Sequence, residues 1–118
     1  MRTALALVLA GIAATACEGP RASIEIEAMR VSRDGGNHVV AEADLLAHDQ
    51  LGGSVGTYCS QVSFPGETPV EACDADLEDG DRRTLRWVSL GTPSVGGTVA
   101  VRVRLGNVDN QRSLGAPK

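Results

Sequence analysis

Apolar and polar residues alternate with a period of two along most of the chain after residue 22. Ile24, Ile26 and Ala28 alternate with Glu25 and Glu27, and the phase then slips so that Met29 and Val31 take the apolar role. The slip predicts a strand with a bulge near Ala28. Asp34-Gly35-Gly36-Asn37 is a turn signal. Val39, Ala41, Ala43, Leu45 and Ala47 then alternate with Val40, Glu42, Asp44 and Leu46. Ala, Leu and Glu also favour helix. The preceding turn and the strict alternation favour a second strand, closed by the Gly-rich loop Leu51–Gly56.

Tyr58–Phe64 and Thr68–Cys73 read as a hairpin around Pro65-Gly66-Glu67. Symmetry about Gly66 sets Cys59 opposite Cys73, Ser60 opposite Ala72, Val62 opposite Val70 and Phe64 opposite Thr68. Cys59 and Cys73 then fall within bridging distance, on the more polar face shared with Gln61 and Glu71, which predicts a cross-strand disulfide. Their spacing is not C-x-x-C, so a redox pair is not indicated. Residues 74–81 form an acidic loop, and 84–90 read as the next strand. Gly91–Gly97 is a turn. In Thr98–Leu105, Val99, Val101, Val103 and Leu105 point inward, while Thr98, Ala100, Arg102 and Arg104 point out. Residues 107–118 are expected as a C-terminal tail or a short edge strand. Six or seven strands without a helix predict an all-β domain, a small antiparallel β-sandwich over residues 23–106.

The strand number and spacing resemble small immunoglobulin-like modules. Those modules place a Trp between two distant cysteines. Here the order is Cys59, Cys73, Trp87, with the cysteines close together, so Trp87 is expected as an ordinary core anchor.

The first residues, MRTALALVLAGIAATA, carry Arg2 and then an apolar run, Ala4–Ala14, too short for a bilayer span, which takes about 20 residues. Residues 1–16 are therefore expected to be a signal peptide. Ala14-Thr15-Ala16-Cys17 resembles the lipobox of bacterial lipoproteins, with Ala14 where that family usually has Leu. The resemblance covers the first 17 residues. It implies lipidation of Cys17 with palmitate-type acyl chains, a tether over 17–22, and a cell-envelope address, with the outer membrane favoured because Glu18 is no clear retention signal. Ordinary cleavage, giving a secreted or periplasmic chain, is the alternative. Cysteine parity favours lipidation: with Cys17 acylated, Cys59 and Cys73 remain as an even pair.

Composition removes several classes. The chain has 118 residues, a formal net charge of −4 and three aromatics, Tyr58, Phe64 and Trp87. Nucleic-acid binding needs clustered positive charge, and neither bases nor sugars find a stacking platform here. No G-x-S-x-G, P-loop or H-E-x-x-H motif occurs. His38 and His48 flank one strand, too far apart to share a substrate. No catalytic residue and no cofactor is expected. Asp74, Asp76, Glu78, Asp79 and Asp81 supply the hard oxygens that Ca²⁺ favours, but Asp79 stands where an EF-hand needs Gly, and a plain acidic turn is the other reading. Arg102 and Arg104 read either as cross-strand partners of acidic rows or as a surface for an anionic partner. The expectation is a non-enzymatic envelope lipoprotein, membrane-bound through its lipid, that binds an envelope protein or adds structure. The alternative is a secreted β-sandwich inhibitor of a hydrolase, using loop 50–57 or 65–68.

Overall fold

A computed structural model describes residues 21–93 and 96–117. The expected signal peptide, Cys17 and most of the expected tether lie outside the described residues. Seven strands form: β1 Ala22–Arg33, β2 Val39–Asp49, β3 Tyr58–Ser63, β4 Val70–Asp74, β5 Arg82–Val88, β6 Thr98–Leu105 and β7 Val108–Gly115. They build two antiparallel sheets, ordered β1-β2-β5 and β4-β3-β6-β7, which pack as a sandwich. The expected all-β architecture is the one found.

Local chemistry explains the hairpins. In the β1–β2 turn, Asp34 Oδ1 accepts hydrogen bonds from the amides of Gly36 and His38, each at 2.9 Å. Asn37 takes φ 66°, a left-handed conformation that Asn tolerates. The β1–β2 register shifts between Ile26 and Ala28, where the sequence predicts a bulge. The extra residue returns the apolar positions to the core side: Ile24 and Ile26 are buried before it, and Met29 and Val31 pack against the core after it.

β2 and β6 are the central strands. Val39, Ala41, Ala43, Leu45 and Ala47 are fully buried, as are Val99 and Val101. β2 lies between β1 and β5, and the strand reading of 39–47 holds. The core is made largely of Val, Ala, Ile and Leu, with Tyr58 and Phe64 as its large fillers. Trp87 differs from expectation. It is half-buried and packs against the core from its margin.

The β3–β4 register matches the symmetry about Gly66, with Cys59 opposite Cys73. The two cysteines form a disulfide with a Cα–Cα distance of 4.0 Å. The ladder ends at Val62–Val70, so Phe64 and Thr68 are not paired. Pro69 has no amide to donate at the next position. Phe64 turns into the core, and its carbonyl accepts the Glu67 amide at 3.1 Å. The C-terminal segment is an edge strand, β7, paired with β6 from Thr98–Gly115 to Leu105–Val108.

In a constant-type immunoglobulin domain the fourth strand belongs to the first sheet. Here the hairpin and its disulfide keep β4 beside β3. The first sheet therefore has three strands, and β4 is exposed along its length.

Two stability predictions follow from this architecture. The disulfide spans a sequence separation of 14. Replacing both cysteines (Cys59→Ser with Cys73→Ser) should lower the unfolding free energy in urea by about 3 kcal/mol. An unchanged midpoint would show that the cross-link constrains nothing. At Gly97 an added Cβ would overlap the side chain of Pro65. Gly97→Ala should therefore cost about 1–3 kcal/mol in the same measurement, an overpacking penalty.

Candidate functional site

The outward rows are occupied by ion pairs. Arg30 donates to both carboxylate oxygens of Asp44, at 2.8 and 3.0 Å, and to Glu42 at 3.4 Å. Thr84 Oγ1 donates to the same Asp44 at 2.8 Å. Arg82 meets Glu27 at 3.1 Å, and His48 meets Glu25 at 3.0 Å. On the other sheet Arg102 grips Asp109 with two nitrogens, and Arg104 reaches Glu71 at 3.3 Å. Arg102 and Arg104 therefore face acidic neighbours within the fold, as the cross-strand reading expects. The Arg30 bonds, with Thr84 second, hold the Asp44 carboxyl down to about 2. Arg102 lowers Asp109 in the same way. At the β1–β2 turn, the backbone amide of His38 lowers Asp34.

The acidic loop stitches one end of the sandwich together. Asp79 Oδ1 accepts the Asp49 amide at 2.8 Å, and Asp81 Oδ2 accepts the Glu78 amide at 2.9 Å. Ser54 and Glu78 form an isolated β-bridge. Val55 donates to Leu77 O at 3.0 Å, and Asp79 donates to Gly53 O at 2.9 Å. Loops 50–57 and 75–81 are thus one layer over buried Val55 and Leu77. Asp76 pairs with Arg83, whose hydrogen bond lowers its carboxyl, and Asp74 lies 3.9 Å from the same arginine. The carboxylates of Asp74, Asp76, Glu78, Asp79 and Asp81 do not converge on a common point. Among the described residues no group of three or more His, Cys, Asp or Glu side chains is placed to hold a metal ion. His38 sits beside Asp34 at 3.4 Å, before β2, and His48 lies near the far end of that strand.

The two flanks of the sandwich differ. On one, β1 lies beside β7, and the Asn110 side-chain amide donates to the Ile24 carbonyl. A shallow groove of about 550 Å³ runs there, with the His48–Glu25 pair on its wall. On the other flank β5 is the edge of its sheet, and among the described residues nothing covers β4. Side-chain bridges frame this opening. At one end Arg83 of β5 donates to the Tyr58 hydroxyl of β3 at 2.8 Å. At the other end the Glu67 carboxylate accepts the Leu90 and Gly91 amides at 2.9 and 3.0 Å. Between the bridges lie Leu85 and Trp87, half-buried, and Val70, 50% exposed. Leu90, at 85% exposure, stands beside the Glu67 clamp. This open flank is the apolar surface best framed by fixed backbone, and a half-buried Trp at its centre is the kind of residue that anchors protein interfaces.

Comparison with family models, with curated proteins and with solved structures finds no match to this chain. Among the described residues no helix is long and apolar enough to cross a membrane.

Sequence reasoning placed the outward charges and the cysteines. It missed the open flank, the Arg83–Tyr58–Asp76 bridge and the Glu67 clamp. The signal in the sequence was an acidic residue inside a tight turn, Glu67, with no cross-strand role to fill.

Asp34, Asp44, Asp76 and Asp109 all have lowered carboxyl pKa values in the folded chain. A lowered folded pKa contributes stability that is complete above the unfolded value, about 4, and is lost as pH falls through the folded value. The Tm should therefore fall as pH drops from about 4 towards about 2. In the Asp44→Asn variant the fall should be smaller, and added salt should shrink it further, because these pairs are exposed. A pH scan by circular dichroism that gave the variant and the wild type the same acid slope would refute the assignment.

Proposed function

We propose that this chain is a bacterial cell-envelope lipoprotein whose β-sandwich is a non-enzymatic binding module for another envelope protein. The lipobox-like Ala14-Thr15-Ala16-Cys17 supports the anchor, and the pairing of Cys59 with Cys73 leaves Cys17 as the one remaining cysteine of the chain. A disulfide in so small a domain fits an oxidising compartment. Glu18 after the cysteine is no clear retention signal, which leaves the outer membrane as the address.

The observation that carries the binding reading is the open β4–β5 flank. A three-stranded sheet faces a four-stranded one, so Val70, Leu85 and Trp87 remain at least partly accessible on a rigid frame. Loops 50–57 and 65–68, the segments an inhibitor would project, are instead tied to Leu77 and Asp79 and to Leu90 and Gly91. The outer faces are filled by compensated charge, which favours solubility over recognition.

The anchor and the flank are tested separately. Mass spectrometry of the N-terminal peptide should find an acylated Cys17, and Cys17→Ser should move the chain from the membrane fraction to the soluble one. An unmodified mature N-terminus would end the lipoprotein reading. For the flank, wild-type chain and the Val70→Glu variant are used as baits on detergent-solubilised envelope. A partner retained by wild type should be lost, by at least tenfold, with Val70→Glu, while the Tm is unchanged because Val70 is already half exposed. Equal retention by both baits would place recognition elsewhere.

A further inference from the structure

The base of the tether is fixed to one particular turn. The Gln50 amide donates to the Arg21 carbonyl at 2.8 Å, and the Gly52 amide donates to the Asp49 carbonyl at 2.9 Å. Residues 49–52 are therefore a tight turn lying directly beside the first described residue of the chain. Leu51 is at the tip of this turn and is 74% exposed. Arg21 has 67% of its side chain exposed, with its Nε 3.5 Å from Asp49. Three residues lie between Cys17 and Arg21, so four residue steps join them. Fully extended, that length of chain spans at most about 14 Å.

We infer that the end of the sandwich bearing Arg21 and Leu51 rests against the lipid surface, with Leu51 at the headgroup boundary. The inference rests on the proposed acylation of Cys17. Acyl chains fix Cys17 at the bilayer, and a connection this short cannot let the domain turn its other end to the membrane. Leu51, beside the tether, is the apolar side chain brought to the surface. The opposite end carries the β1–β2 turn, the Glu67 clamp and Leu90, and it faces away from the membrane. The open flank then stands upright, reachable by a partner from the side.

The charges at the membrane end shape the contact. Asp79 and Asp81 flank the turn through the stitched loops, and Arg21, held beside the turn by Asp49 and the Gln50 amide, is the cation placed against it. Anionic headgroups gain nothing from that set, so the contact is apolar and is strongest on zwitterionic lipid. One leucine does not hold a domain on a bilayer. The short tether keeps it there.

The test uses the full acylated chain, extracted from expressing cells and reconstituted in phosphatidylcholine vesicles that contain a lipid with a shallow nitroxide quencher. Leu51→Cys and Leu90→Cys each introduce the one free thiol for an environment-sensitive fluorophore. Both positions are exposed, so both variants retain the fold. Quenching at position 51 should be at least threefold that at position 90, and replacing a third of the lipid with phosphatidylglycerol should not increase it. Inserting twenty Gly and Ser residues after Cys17 should reduce quenching at 51 to the level at 90. Equal quenching at 51 and 90 in chain whose Cys17 is shown by mass to be acylated would overturn the orientation and leave the anchor intact. Quenching at 51 that survives the insertion would overturn the tether as its cause. A chain without acyl groups would end the anchor reading, and the orientation with it.

Discussion

The fold depends on the register of two central strands, β2 and β6, whose inward rows are built from small side chains. Val39, Ala41, Ala43, Leu45 and Ala47 face Val99, Val101, Val103 and Leu105 across a core with Tyr58 and Phe64 as its only buried aromatics among the described residues. A slip of one residue in either strand would turn its entire apolar row to water. Small side chains also leave little slack, because a Val- and Ala-rich core is filled by close approach of the sheets and not by long chains reaching inward. The bulge between Ile26 and Ala28 answers this constraint. It lets β1 follow the register of β2 at both ends, although its own apolar positions change phase midway.

The same alternation disposes of the arginines. Once the apolar rows point inward, the polar rows must point out. Cross-strand neighbours then determine what each arginine meets: Arg30 meets Asp44 and Glu42, Arg102 meets Asp109, and Arg104 meets Glu71. Which acid each arginine meets was not legible in the sequence. That the charged rows point outward was, because strand faces and hairpin registers follow from residues close together in the chain. The symmetry about Gly66 placed Cys59 against Cys73 for that reason. What else was not legible joins distant segments. Arg33 donates to the carbonyls of Pro93 and Pro117, 60 and 84 residues away. Ser89 continues the β2–β5 ladder by donating its amide to Val39 O and accepting the Val39 amide on its hydroxyl. No local pattern marks either residue as a cap, since both depend on which ends the topology brings together.

The unequal sheets explain why the surface is not uniform. A fourth strand could have joined β5 and closed the second flank. The turn at Pro65-Gly66-Glu67 and the Cys59–Cys73 cross-link instead hold β4 beside β3, so among the described residues no strand lies opposite the inner face of β4. The polar bridges at Arg83–Tyr58 and Glu67–Leu90 then join the two sheets at either end of the opening. Trp87 sits on β5, the edge strand of its sheet, and packs against the core from its margin. It was expected as an ordinary core anchor, and with no strand beyond β5 in its sheet among the described residues it is half-buried.

The end of the sandwich at Arg21 shows how a buried charge can fix the start of β1. The Asp49 side chain is fully buried at the end of β2, and its Oδ2 accepts the Gly53 amide at 2.8 Å. Its Oδ1 has no hydrogen-bond partner among the described residues and lies 3.5 Å from Arg21 Nε. A desolvated carboxylate is costly unless a cation stands beside it. The guanidinium that fills this role belongs to Arg21, the residue before β1, and the Arg21 carbonyl is tied in turn to the Gln50 amide. The charge within the fold and the backbone at its boundary therefore pull the same residue to the same turn. The placement of Arg21 beside this turn is thus set by the buried carboxylate at the end of β2 and by the backbone next to it.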